Sequence, residues 1–407
     1  MGYWMTDILT SQPPNTTDGG GALMDWLTRA RRQNHVLWDE STGSCHVFGY
    51  PEVQHVLTDP HLFSSVFHGK LPEPIEDAPN FMENHLGVTD PPRHTKLRKL
   101  VSSAFTSRGT LKMEPTIDRI AHDLLADTGH LSELELVEHY FKPLPVLVIA
   151  ELLGVPPSDR DKFHNWAESM LLANEGTSAG DPDVMVLGEH MTSPILEMQE
   201  YILAHARARK INPGDDLISR LAMAEVDGDR LNEVELFSIP IVLLLAGHIS
   251  TTLALGNTIV GLDQNPDALA AVVADHSLIP QAVEEGLRTR PPVPATFRRT
   301  TQPTTVGGVD IPADATVVIW MMSANYDDRV FANPDRFDLS REGNNWHSAF
   351  GHGPHFCLGA QLARLETQIA LRVLLEAHPG LRIKGEPTYG ASPIVFGVTE
   401  LPVTTGR

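Results

Sequence analysis

The sequence predicts a mainly α-helical protein with a smaller β-rich region. Three observations carry that expectation. From about residue 232 to 262 the apolar pattern is helical with few breakers, and thirty such residues would run ~45 Å, the width of a domain. Helical patterning also fills the region from about 108 to 225. The strand-like runs are short: residues 36–38 and 45–48 read as a hairpin around Glu40-Ser41-Thr42-Gly43. Length alone would suggest two or three domains at ~150 residues each. With no linker and no internal repeat, a single domain over 21–407 behind a flexible segment 1–20 is the better expectation.

Taken in order, residues 1–20 are rich in Gly, Pro, Thr and Asn and should fray. After the hairpin, Pro51 marks the first turn of a helix. Residues 66–89, with Gly69, Pro72, Pro74, Pro79 and Gly87, should be irregular, and loops of that length are often functional lids. Asp90-Pro91-Pro92-Arg93-His94-Thr95 then opens a helix. His94 and Arg98 are four apart on one face, where two donors suit anionic carboxylates; the bland alternative is a solvated basic helix end. Leu152 and Pro156 bracket a break, and residues 175–182 should join two lid helices.

The long central helix contains Leu243-Leu244-Leu245-Ala246-Gly247-His248-Ile249-Ser250-Thr251-Thr252. Leu243, Ala246, Gly247 and Ser250 share a face, and their small members leave space above a neighbouring group. The hydroxyls of Ser250 and Thr251 can bond back to carbonyls four residues earlier. A core helix with a packing glycine is the alternative. Further on, Glu285 and Arg288 are three apart on a helix and can pair, which by itself reads as a surface salt bridge of little worth. Pro291-Pro292-Val293-Pro294-Ala295-Thr296-Phe297 must follow an extended path.

Phe350-Gly351-His352-Gly353-Pro354-His355-Phe356-Cys357-Leu358-Gly359 is too rich in Gly and Pro to be helical, but Ala360 onward reads as a helix with Leu358, Leu362 and Leu365 on one face. Cys357 therefore sits where a loop meets a helix N-terminus, whose free N–H groups and dipole favour a thiolate. The flanking glycines let a large flat ligand approach the backbone. Cys45, in a strand, reads as a core residue.

The formal net charge of -21 argues against nucleic-acid binding. Two cysteines fit a reducing compartment without a disulfide scaffold. No basic region followed by an apolar run opens the chain, and the most apolar stretch, 239–249, falls short of the ~20 residues of a membrane span. A cytoplasmic protein with no membrane partner is expected.

The pattern Phe-x-x-Gly-x-x-x-Cys-x-Gly, with a basic residue two before the cysteine, resembles the haem-binding loop of the cytochrome P450 family, and the resemblance extends from about residue 35 to 402. It implies the cytochrome P450 fold, haem b (iron protoporphyrin IX) as cofactor, and Cys357 as axial thiolate ligand of the iron, with Phe350 and Gly359 in the same loop against the cofactor. Asp-Pro-Pro-x-His-Thr-x-x-Arg is a family sequence in which His94 and Arg98 would bind the haem propionates. Arg298, ten residues before Gly308, and His355 are the further propionate candidates, with Arg299 less favoured. Ala246, Gly247, Ser250 and Thr251 resemble the oxygen-binding helix. There the chain departs from the pattern: most relatives carry Asp or Glu where Ile249 stands. Ile cannot relay a proton, so protons would pass through Ser250, Thr251, water or hydroxyls of the substrate. His248 reads as structural. Glu285 and Arg288 match a charge cluster behind the haem loop, with Arg336 of Asn333-Pro334-Asp335-Arg336 as third member.

The resemblance also implies that the loop after residue 66 covers the pocket and that residues 392–396 form a hairpin tip closing it. The substrate candidates are Phe67, Leu86, Leu171, Leu244, Val293, Ala295, Ile394 and Val395. The implied activity is monooxygenation with dioxygen, fed by ferredoxin and NAD(P)H-ferredoxin reductase. Arg93, Lys96, Lys99 and Arg364 would form a basic docking patch. The small-molecule substrate is expected to be a polyketide-type metabolite of antibiotic biosynthesis, resembling substrates of actinobacterial tailoring enzymes, with hydroxylation favoured over epoxidation. The alternatives are a terpene, steroid or fatty acid substrate, or a haem-binding sensor or docking protein without turnover.

Overall fold

The computed structural model describes residues 12–66, 85–163, 165, 166, 169 and 192–406. Its axis is the central helix Glu233–Asp263, 31 residues long. Asn232 caps it reciprocally with Glu235: the Asn232 side chain accepts from the Glu235 N–H, and the Glu235 carboxylate accepts from the Asn232 N–H. By length and composition this helix could cross a membrane, yet most of it is buried among other helices. It packs against Pro143–Leu153, Ile279–Thr289 and Ala360–Ala377, and these four share one large apolar core with Glu114–Leu125 and Thr192–Ile211.

The β-rich side is built on a five-stranded sheet in the order Val36–Asp39, Ser44–Val47, Thr316–Ile319, Thr296–Thr300, Phe63–Ser64. The predicted hairpin is there, with Trp38 opposite Cys45. Cys45 is fully buried, which pushes its thiol up to about 12 and leaves it chemically inert. A helix Tyr50–Thr58 follows with Pro51 in its first turn, and Arg93–Ala104 begins where Asp90-Pro91-Pro92 predicts it.

Two expectations need correction. The region 108–225 is not all helix. Glu133–Glu135 is a strand paired with Pro402–Thr404, and a π-helical turn, Val137–Phe141, leads into the next helix. Nor do residues 16–20 fray. The Thr16 hydroxyl lies 2.6 Å from the Gly390 carbonyl and 3.0 Å from that of Ser392, and Asp18 accepts from the Gly20 and Ala22 N–H groups at the start of helix Gly21–Gln33. The break at 152–156 is as read: helix Pro143–Leu153 ends at Gly154, which adopts φ +79.

Candidate active site

The cysteine loop is shaped by short-range constraints. The Cys357 N–H donates to the Phe350 carbonyl at 2.9 Å, and short 3-10 turns, Ser348–Phe350 and Gly353–His355, carry the chain to the sulfur. Gly353 has φ +68, and a Cβ there would lie 2.6 Å from the Leu57 carbonyl, so only glycine lets the loop lie on helix Tyr50–Thr58. Cys357 is a free, accessible cysteine immediately before helix Ala360–Ala377. Burial of its surroundings pushes the thiol up. The Gly359 and Ala360 N–H groups and the charges of Arg98 and Arg364 pull the other way, towards thiolate.

Beside the cysteine, four donors from three elements converge. His94 and Arg98 come from helix Arg93–Ala104, His355 from the loop, and Arg298 from strand Thr296–Thr300. The His94 and His355 rings stand 4.2 Å apart, and the Nε2 atom of each is buried without a hydrogen-bond partner. Burial pushes His355 down to about 3, helped by Arg298, His94, Arg98 and His85, and pushes Arg298 down to about 10 against the pull of Asp90. His94 and Arg98 are likewise lowered, chiefly by burial. Two imidazoles with orphaned Nε2 atoms and two guanidiniums beside them suit a dicarboxylate. Haem b, with two propionates and a thiolate-ligated iron, fits these residues. Arg299, the alternative on the same strand, points to the other side and pairs with Asp314.

The central helix supplies the other wall. Ala246 is exposed in the middle of a core helix, and Leu243, Gly247, Ile249 and Ser250 are half-exposed, while Leu244, His248 and Thr251 are buried. The open face is thus the Leu243, Ala246, Gly247, Ser250 face that the spacing predicts. Leu244 is a correction: it packs into the apolar core. Thr251 is turned away from that face, leaving Ser250 as its hydroxyl, with Oγ donating to the Ala246 carbonyl at 2.6 Å. Gly247 has a packing reason of its own, since a Cβ would lie 2.9 Å from Ile149 Cδ1.

Of the expected substrate contacts, Val293 is 36% and Val395 40% exposed. Ile394 is half-buried against the apolar cluster that contains Ala295, Trp320 and Phe396, and Ala295 is buried within it. Ala295 therefore belongs to packing, the second correction. Leu86 sits half-buried in the short turn Leu86–Val88. Phe67 and Leu171 lie outside the described residues. The tip 392–396 does connect two antiparallel strands, Thr388–Tyr389 and Val398–Glu400.

Behind the loop, Glu285 and Arg288 are fully buried and bidentate, at 2.7 and 3.0 Å. The third member is not Arg336 but Arg341, whose Nε donates to Glu285 at 3.0 Å. Arg336 contributes only its carbonyl, accepting from both Arg288 and Arg341. The sequence reading also missed the neighbouring cluster in which His347 and Arg364 hold Glu284. Burial alone would raise that carboxyl, but the two hydrogen-bonded partners outweigh it and bring Glu284 down to about 2. The signal was there in the Glu284-Glu285 doublet. Arg364 also lies over the Phe350 ring at 4.4 Å, bracing the loop. It is thus engaged inside the fold. Arg93, Lys96 and Lys99 pair with Glu235, Asp229 and Asp227, so the expected basic patch is locally neutralised. Lys96 and Lys99 instead line a surface pocket of about 440 Å³ that no residue of the cysteine loop borders.

Comparison with known proteins agrees with this geometry. The cytochrome P450 family profile matches residues 187–378. The chain is 42% identical over 392 residues to the erythromycin C-12 hydroxylase of Saccharopolyspora erythraea, covering 95% of each chain. It is 39% identical over 393 residues to the cyclomarin C epoxidase of Salinispora arenicola, covering 96% of this chain and 98% of the relative. The ligand-free structure of cytochrome P450 TbtJ1 superposes with a TM-score of 0.86 at 41% identity, over 97% of this chain and 100% of the other. With a thiol at a helix N-terminus, two imidazoles and two guanidiniums beside it and these full-length similarities, the chain belongs to the cytochrome P450 family of haem monooxygenases and takes haem b as its cofactor.

Proposed function

We propose that the chain hydroxylates a polyketide-type secondary metabolite in antibiotic biosynthesis, with epoxidation of a C=C bond as its secondary activity. In this reading Cys357 would ligate the haem iron, His94, Arg98, Arg298 and His355 would hold the propionates, and Phe350 and Gly359 would help form the cofactor site. Bound haem would supply the dioxygen activation, with Cys357 as the thiolate that would hold it. The chain's own residues do the rest. The Gly359 and Ala360 N–H groups hold negative charge at Cys357 Sγ. Val293, Ile394 and Val395 offer an apolar wall to the substrate, as ligand sites usually do. Ser250 Oγ holds a proton at the open face of the central helix, and Ile249 relays none. Electrons come from a redox partner, which we take to be a ferredoxin with its NAD(P)H-dependent reductase, in the cytoplasm.

The observation that carries this reading is the exposed Ala246 on the half-open Leu243, Gly247, Ser250 face of a core helix, which leaves room above a flat cofactor. The similarity to a macrolide hydroxylase supports the substrate class, and a substrate bearing hydroxyls can compensate for Ile249. The test is the ferrous carbon monoxide difference spectrum, followed by titration with macrolides and cyclic peptides. A thiolate-type band that is lost in Cys357→Ser, and a substrate-induced spin shift with a macrolide, are expected. Haem bound without a thiolate band overturns the ligand assignment. A spin shift with fatty acids alone overturns the substrate class. Ile249 also favours a second reading, a haem protein without turnover, which ferredoxin-supported product formation would exclude.

A further inference from the structure

The segment preceding the first helix is tied to the wall of the site. Thr16 is fully buried, and its hydroxyl reaches two carbonyls of the hairpin connection, Gly390 and Ser392. Its own carbonyl accepts from the Gly19 N–H at 3.0 Å, closing a tight turn. Two glycines then run against aromatic faces. Gly19 and Gly20 have φ +81 and +84, and a Cβ would lie 3.3 Å from Tyr389 and 2.8 Å from Phe396. Those two rings are stacked, and Arg290 closes the other end. Its guanidinium lies 5.0 Å from the Phe396 centroid, and its Nη2 donates to the Gly19 carbonyl at 3.0 Å.

The clasp grips both segments expected to face substrate. The Phe396 N–H donates to the Pro292 carbonyl at 2.9 Å, and Asn257 of the central helix donates to the carbonyls of both Arg290 and Phe396. Within the tip, the Ile394 and Val395 N–H groups lie 3.3 Å from the Ser392 hydroxyl. The backbone that presents Ile394 and Val395 is therefore held from below by the central helix and from outside by residues 16–20.

We propose that the strap 16–20 is a specificity-determining element of the site, and that Thr16 is a positioning residue that fixes where Ile394 and Val395 meet the substrate. The proposal rests on the reading that residues 392–396 wall the substrate pocket. Loss of the Thr16 hydroxyl leaves the Gly390 and Ser392 carbonyls without this donor and frees the tip, while the cysteine loop and the propionate donors keep every contact described above. The effect should therefore scale with how far a ligand reaches towards the tip.

The test compares holoenzymes of wild type, Thr16→Val and Thr16→Ser. Imidazole serves as a small iron ligand, 4-phenylimidazole as a bulky one and erythromycin-type macrolides as substrate probes, with hydrogen exchange read at the amides of residues 390–396. In Thr16→Val, exchange at Ile394 and Val395 should quicken, and 4-phenylimidazole and macrolide binding should weaken by about five- to tenfold. Imidazole binding and the carbon monoxide spectrum should stay as in wild type, and Thr16→Ser should behave as wild type. Unchanged tip exchange and bulky-ligand affinity in Thr16→Val overturns the proposal, as does equal weakening of both azoles, which would mark a general loss of structure. A wild type that binds no macrolide, with the azole split still present, overturns the substrate class and leaves the strap standing.

Discussion

Ser250 and Glu366 show what single side chains commit the molecule to. Ser250 is the hydroxyl on the open face, parked on the Ala246 carbonyl at 2.6 Å, and its neighbour Ile249 carries no proton. Ser250→Ala should leave haem content and substrate binding unchanged and lower the product formed per NAD(P)H by about 10-fold, the missing electrons appearing as hydrogen peroxide. Equal product yield would place the proton route on the substrate or water. Glu366, on the cysteine helix, is buried, its Oε2 has no hydrogen-bond partner, and burial raises its carboxyl well above the usual 4.5. The folded state thus keeps it neutral while the unfolded state ionises as pH rises past that value, so this group costs stability at neutral pH and not in acid. Glu366→Met should stabilise the protein by about 1–3 kcal/mol at pH 7, with the gain growing from pH 5 to 8 in thermal melts. A gain independent of pH would mean the carboxyl is not the cause.

At the scale of elements, the buried cluster behind the loop gives the clearest contrast. Arg341 donates its guanidinium to Glu285, whereas Arg336 lends only a carbonyl and keeps its side chain exposed. Arg341→Ala should cost about 3–5 kcal/mol in denaturant unfolding, because it strips a buried carboxylate of a partner. Arg336→Ala should stay within about 0.5 kcal/mol. The reverse order would restore Arg336 as the third member. This pair also shows where sequence reading stops. The Asn333-to-Asp338 segment was found by its pattern, but whether a residue contributes a side chain or a carbonyl depends on the path of the chain, which spacing does not encode. The same holds for Glu133–Glu135, whose partner strand lies about 270 residues away and leaves no local period. The central helix was legible because its periodicity is local, and the cysteine loop because Gly and Pro forbid helix up to the residue before Ala360. The burial of Leu244 and Ala295 was not, since an apolar residue reads alike whether it lines a pocket or packs a core. Nor was the strap at Thr16, because a Gly- and Thr-rich terminus reads as disordered until the aromatic hairpin it docks on is known.

For the molecule as a whole, charge decides how it meets its electron donor. The chain carries a formal net charge of -21, and the cations expected to form a basic docking patch are already paired: Lys96 with Asp229 at 2.8 Å, Arg93 with Glu235 at 3.6 Å, Arg364 with Glu284 at 2.6 Å. A paired cation presents little field beyond its partner, so the long-range term between this protein and an acidic ferredoxin is repulsive. Salt shortens the reach of that repulsion from about 30 Å at 0.01 M to about 10 Å at 0.1 M. The second-order rate of reduction by an acidic ferredoxin, followed by stopped flow, should therefore rise with salt across that range. Neutralising Asp227 and Asp229 together, which frees Lys99 and Lys96, should raise the low-salt rate and flatten its salt dependence. A rate that falls with salt in the wild type would show attraction, and would return the docking role to the face bearing Arg93, Lys96 and Lys99.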